Sequence, residues 1–266
     1  MKNLIKAACV FYGIGVAGIG VQQFYYADLR PVILPPWPSW MHAAALAYIT
    51  GAALIGAGIM ILLQKKVAMV SLLLGTFFLV MFVFFHVPYL LFINENSPRH
   101  LGLWTDPLKE LALSGGAFVF AGLFKEQTTE GWRGPNLNSG LEKLIPSGRI
   151  FFAITMIAFG IDHFLYTAFV ATLVPEWIPG HIFWTYFAGV ALIGVGTAII
   201  INVQLKLVGL LLALMLFLWF ILLHIPRAIA DPSSGFGNEI TSVFEALAFS
   251  GIALGIACTE KLSHAK

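Results

Sequence analysis

The chain has 266 residues, of which 59% are hydrophobic and 11% charged, with a net charge of +2 and a mean hydropathy of +0.88. A soluble domain carries about 25% charged residues, so this composition argues against a soluble enzyme or a basic nucleic-acid-binding domain and for a polytopic membrane protein. Cys9 and Cys258 form no CxxC pair, which removes support for thioredoxin-type dithiol chemistry.

Apolar stretches of about 20 residues, the length that crosses bilayer hydrocarbon as a helix, recur along the chain, and eight spans are expected. The first, 4–26, follows Lys2 and Lys6 and is too long for the apolar core of a signal peptide, so it reads as a retained helix. Gly13, Gly15, Gly18 and Gly20 give it small residues for close helix packing, and Gln22, Gln23 and Tyr26 lie at its end. The loop "ILPPWPSW" (33–40) suits the headgroup level, where indole rings settle. The second span, 40–63, carries Gly51, Gly56 and Gly58, again small residues for packing. The third, 67–92, closes on "VFFHVPYLLFIN" (83–94), which places His86 two residues before Pro88. The fourth, 106–124, takes Lys109 one turn inside the helix.

A polar stretch, "KEQTTEGWRGPNLNSGLEKLIPSGR" (125–149), follows. The fifth span, 149–172, carries Asp162, His163 and Tyr166; the sixth, 181–202, carries Gly189, Gly194 and Gly196. The seventh, 205–229, closes on "FILLHIPRAIAD" (220–231), with His224 two residues before Pro226, and the eighth, 241–258, begins near Glu245. One side of the membrane then holds Lys2, Lys6, Lys65, Lys66, Lys125, Arg133, Lys143, Arg149, Lys206, Lys261 and Lys266. The other holds Arg30, Arg99 and Arg227, with Lys109 at a helix mouth. The Lys/Arg excess marks the cytoplasmic side, so both termini are expected there, in a bacterial inner membrane.

The second half repeats the first. "LPPWP" (34–38) matches "VPEWIP" (174–179), and "TGAALIGAGIMI" (50–61) matches "AGVALIGVGTAI" (188–199). "FFHVP" (84–88) matches "LLHIP" (222–226), and "LALSGGA" (111–117) matches "ALAFSGIA" (246–253), all at spacings of 136 to 140 residues. The expected fold is an all-α integral membrane protein with eight transmembrane helices as two four-helix repeats. The first occupies 1–124, a cytoplasmic linker 125–147, and the second 148–266. Four helices is an even number, so the repeats run parallel, related by an axis along the membrane normal.

At a rise of about 1.5 Å per residue, His86 and His224 fall in the outer leaflet. Gln23, Tyr26 and Lys109 of the first half, and His163, Tyr166 and Glu245 of the second, fall at the same depth. Intramembrane ionisable groups are costly and mark functional sites. His163, Tyr166, His224 and Glu245 suit proton handling, whereas the first half offers Gln23, Tyr26, His86 and Lys109 instead. The bland alternative is a kink, in which each imidazole donates to the carbonyl that its proline leaves free, Phe84 or Leu222. No metal site is expected: His163, His224 and Glu245 could supply three ligands, but Gln23 and Lys109 spoil the equivalent set. A b-type haem, held by His163 and His224 or by the two repeat histidines, is a lesser candidate. The Gly-x-Gly patterns sit in membrane helices with no strand before them and are not dinucleotide fingerprints.

"FGIDHFLYTAFVATLVPEWIPGHIFWTYFAGVALIGVGTAI" (159–199) resembles the opening of DoxX-like membrane proteins, with their Gly-x-x-His-Phe turn, "VPxWIP" loop and Gly/Ala-rich second helix. "HIPRAIAD" and "ALAFSGIALGIA" resemble the third and fourth helices of that unit, and the first half resembles it more weakly, with Gln23 in place of the histidine. The resemblance implies a duplicated four-helix unit and an association with redox metabolism: quinone-linked thiosulfate oxidation in some relatives, thiol or oxidative-stress defence in others. Glu245 stands where relatives often carry lysine. The leading expectation is a protein that binds a quinone or similar amphipathic molecule near the periplasmic face, working in the lipid bilayer with a redox partner or respiratory-chain component. His86, His163 and His224 are its candidate proton groups; Gln23, Tyr26, Lys109, Tyr166 and Glu245 would line the site. A non-catalytic scaffold subunit, oligomeric or not, and a small-solute transporter are the alternatives.

Overall fold

The computed structural model describes residues 1–36, 44–94, 100–125 and 140–259. Trp37, Trp40, Arg99, Arg133, Lys261, Lys266 and most of the 125–147 stretch lie outside them. The described residues form helices and their connections. In chain order these are α1 (Lys2–Tyr26), α2 (Ala44–Leu62), α3 (Val67–Ile93) and α4 (Thr105–Leu123). After the linker come α5 (Glu142–Leu165), the short α6 (Thr167–Ala171), α7 (His181–Ile200), α8 (Leu205–Ala230) and α9 (Asn238–Ala257).

Seven of these helices, all but α4 and α6, are long and apolar enough to cross a membrane. This is an all-α membrane protein. α4 differs because Asp106, Lys109 and Glu110 stand in its first two turns. It is nevertheless an interior helix, with buried residues from Pro107 to Ala121 interrupted only at Lys109. A helix enclosed by other helices does not need a lipid-compatible surface, so its charges can point at neighbours instead of hydrocarbon. α9 is the other central helix and touches α4 directly.

The outer helices pack on this pair in an interleaved order. α3 lies on α4 and α8 lies on α9, but α1 packs on α9 and α5 packs on α4. Segments before and after the linker are thus tied together. Small residues make the contacts possible, since packing rather than a hydrophobic force holds helices together in lipid. A Cβ on Gly115 would fall 2.5 Å from the Gly148 carbonyl oxygen, and one on Gly251 would fall 2.6 Å from the Tyr12 amide nitrogen. Two buried hydroxyls clip the same layers: Ser114 donates to the Gly75 carbonyl (2.8 Å) and Ser250 to the Ala213 carbonyl (2.9 Å).

Both histidine-proline segments interrupt α-helical geometry in the same way. The Val87 N–H bonds the Phe82 carbonyl and the Ile225 N–H bonds the Phe220 carbonyl, five residues back, so Phe82–His86 and Phe220–His224 are π-helical turns. Each turn ends on its histidine, two residues before its proline. The widened turn re-phases the helix where the proline would otherwise remove an i to i−4 bond.

Candidate functional site

Ionisable side chains gather at the end of the bundle opposite the N-terminus, around the start of α4. That helix sends two adjacent side chains in different directions, as the rotation of about 100° per residue requires. Lys109 turns toward α9 and sets its Nζ 2.9 Å from Glu245 and 3.2 Å from Asp106, one turn earlier. Glu110 turns toward α3 and lies 3.5 Å from Nε2 of His86. Glu110 is 0% and His86 2% exposed, and neither Glu110 oxygen has a hydrogen-bond partner among the described residues.

The connection from α1 closes over this cluster. α1 stops at Ala27, whose left-handed backbone (φ 50) turns the chain back, and Leu29, Arg30, Val32, Ile33 and Leu34 are buried. The turn is held by the Ile33 N–H on the Arg30 carbonyl, at 2.8 Å. His86 hydrogen-bonds the backbone of Val32. Among the described residues its Nε2 has no hydrogen-bond partner, and it faces Glu110, so this bond runs from the Nδ1 N–H to the Val32 carbonyl. The imidazole therefore does not use the Phe84 carbonyl that a self-contained kink would offer. Arg30 lies over the Tyr26 ring, 4.5 Å from its centroid, and within electrostatic reach of Asp28, Asp106 and Glu245.

The residues singled out from the sequence fall into separate groups. His86, Lys109 and Glu245 belong to the cluster, and Tyr26 borders it through Arg30. Gln23 faces α2, accepting a hydrogen bond from the Thr50 hydroxyl at 2.6 Å, while its neighbour Gln22 donates to the Gly237 carbonyl at 3.1 Å. His163 donates through Nδ1 to the Phe159 carbonyl, 2.7 Å away, and stacks on Trp219 of α8. Tyr166 stacks on His100 and accepts the Gly102 N–H at 3.3 Å. The structure thus leaves His163 and Tyr166 engaged with other partners than Glu245, whose ion-pair partner is Lys109 of the first half.

His224 occupies a different setting from His86. It is partly exposed, its Nδ1 is buried without a hydrogen-bond partner among the described residues, and Lys109, Arg227 and Glu239 lie within electrostatic reach. Arg227 and Glu239 hold each other through two hydrogen bonds of 3.0 and 2.6 Å. The equivalent connection in the second half is not buried: residues 172–174, which align with 32–34, are exposed or half-exposed. A shallow surface concavity in that connection, lined by Ala171, Thr172, Gly180, His181 and Ile182, contains none of the predicted site residues. Among the described residues no three His, Cys, Asp or Glu side chains converge as a metal site would require.

Sequence reasoning passed over Glu110, Asp106 and Arg30. Glu110 aligns with Ala246, so the repeat gave it no counterpart, and Arg30 was counted among the outer-side charges although it is 2% exposed. The available signal was the pair Lys109–Glu110 itself, two charges side by side within an apolar helix, which must address two neighbours.

Comparison with known proteins adds one family. A family model described as a domain of unknown function, DUF8561, matches residues 152–239, a stretch that includes His163, Tyr166 and His224 but stops before Glu245. No curated protein and no solved structure matches the chain.

Proposed function

We propose that the chain is a DoxX-type inner-membrane protein that binds a quinone or similar amphipathic molecule from the bilayer, with His224 as hydrogen-bond partner to a ligand carbonyl. The observation that carries this reading is the difference between the two histidines. His86 is 2% exposed beneath the buried connection at Val32, whereas His224 is partly exposed and the equivalent connection is not buried. Ile221, one turn before it, is exposed, as are Leu222 and Ile229 farther round α8, so an apolar surface that a lipid-soluble molecule can approach laterally lies on this part of the helix. An apolar approach ending in a few placed polar groups is what such a ligand requires.

The wider architecture in this reading is eight spans, α4 being the eighth, arranged as two parallel four-helix repeats with both termini cytoplasmic. Equivalent details support the duplication. Gln64 and Lys66 have φ of 54 and 48, and Asn202 and Gln204, each 138 residues later, have φ of 61 and 49. The two π-helical turns and the clips at Ser114 and Ser250 recur at matching spacings. A redox partner in the membrane would supply or accept the electrons of a bound quinone.

Replacing His224 by leucine tests the assignment. The variant should fold with unchanged or slightly higher stability, because it removes a buried nitrogen that lacks a partner. Loss of one ligand hydrogen bond, about 1 kcal/mol, should weaken quinone binding about fivefold. Organic extraction of the purified protein and quinone quenching of tryptophan fluorescence read this out. Wild-type protein that yields no quinone and shows no quenching defeats the proposal, and leaves the scaffold reading in its place.

A further inference from the structure

We infer that Glu110 and His86 form a buried proton-binding site, a dyad that holds one proton between them inside the membrane. The dyad stands on hydrogen-bond chemistry of its own, whatever binds at His224. The Nδ1 N–H of His86 is committed to the Val32 carbonyl. In a neutral imidazole the other nitrogen, Nε2, is then a bare acceptor. What faces it at 3.5 Å is a carboxyl group, with no donor supplied to either of its oxygens among the described residues. An ionised carboxylate opposite a bare nitrogen sets acceptor against acceptor in a site that water does not reach, at the full cost of desolvating both. One proton between them satisfies both groups. It can rest on Glu110, as a carboxylic acid donating to Nε2, or on His86, as an imidazolium facing a carboxylate.

The charges around the dyad lead to the same count. On its own helix α4 presents Lys109 and Asp106; α9 presents Glu245, and the connection after α1 presents Arg30. These are two cations and two anions, which cancel; Asp28, also within reach of Arg30, is exposed, so its charge is carried by solvent and not by the interior. α1 contributes Tyr12, whose hydroxyl donates to the Leu113 carbonyl at 2.7 Å, and α5 contributes Thr155, which donates to the Leu108 carbonyl at 2.8 Å. His163 of α5 is bonded to Phe159 and stacked on Trp219, Asp162 lies toward His100, and His224 of α8 lies toward Lys109. With one shared proton the dyad is neutral and so is the whole cluster. With none it leaves a net negative charge in a low-dielectric interior, and with two a net positive one; either is far costlier than neutrality. The Val32 bond makes the same histidine part of the seal, so a proton can exchange with water only when residues 29–34 lift away.

Infrared spectroscopy and 15N-histidine NMR of the full chain in lipid nanodiscs test the count. The expected result is one of two signatures: a carboxylic-acid C=O band with a neutral, Nδ1-protonated imidazole, or an imidazolium with no such band. Deuterium should shift the dyad's signal far more slowly than signals from exposed acids. Glu110→Gln, which still offers an N–H to Nε2, should remove the band or convert the imidazolium to its neutral form. Glu110→Asp, which keeps the carboxyl, supplies the assignment if the glutamine variant does not fold. A wild-type spectrum with neither signature means no shared proton, and one with both means two; either result overturns the inference.

Discussion

Lys109→Ala is expected to destabilise the protein by about 3–5 kcal/mol, the cost of stranding a buried charge by removing its partner. The side chain lies between Glu245, 3% exposed, and Asp106, 32% exposed, so its loss leaves Glu245 ionised without its ion-pair partner or forces it to take up a proton. The double variant Lys109→Met, Glu245→Met should recover most of the loss, because two apolar residues of similar length replace a pair whose attraction largely offsets its desolvation. Reversible unfolding in mixed micelles gives the three stabilities. The comparison pair is Lys125–Glu142, also at 2.9 Å but 56% and 36% exposed, where breaking the contact should cost about 0–1 kcal/mol. Equal costs at the two sites would mean that the Lys109 cluster is open to water.

The second large effect concerns glycines that look alike in sequence. Gly58→Leu should separate α1 from α2, and even Gly58→Ala should cost about 1–3 kcal/mol through overpacking. A Cβ on Gly58 would stand 2.5 Å from the Gly13 carbonyl oxygen, and one on Gly13 would stand 2.6 Å from that of Gly58, so each helix backbone is the other's wall. Gly56, two residues earlier, has nothing within 4 Å of its Cβ position. Gly56→Ala should therefore be neutral or stabilise the helix by about 0.5–1 kcal/mol. Thermal unfolding of the three variants in detergent checks the order. Comparable loss from Gly56→Ala and Gly58→Ala would show that the α1–α2 contact is not the tight one described.

Both expectations show where sequence reading reached and where it stopped. Seven membrane-length helices were visible because hydropathy is a sum over about 20 residues and needs no partner. The role of a single glycine was not visible, since Gly56 and Gly58 differ only in which way they face. Lys109 and Glu245 were read as equivalent positions that had diverged in charge. In the folded chain the two aligned positions meet, and opposite charges are what lets them do so. Glu110 was missed because its meaning comes from His86 across the bundle, and His86 was recognised without its bond to Val32 because that bond depends on how a loop folds back. Burial of Arg30 follows from the same loop. Side-chain depth can be counted from a helix end; side-chain company cannot.

The interleaving of α1 with α9 and of α5 with α4 has a consequence for how the chain is made. α1 leaves the ribosome long before α9, the helix that covers Gly15 and Gly18. Until α9 enters the bilayer, Gly15 and Gly18 lack the Phe244 and Ala248 contacts that fill the space beside them. That face of α1 therefore stays uncovered until α9 is made, and membrane quality control should remove chains truncated before residue 238 even though the preceding spans are already inserted.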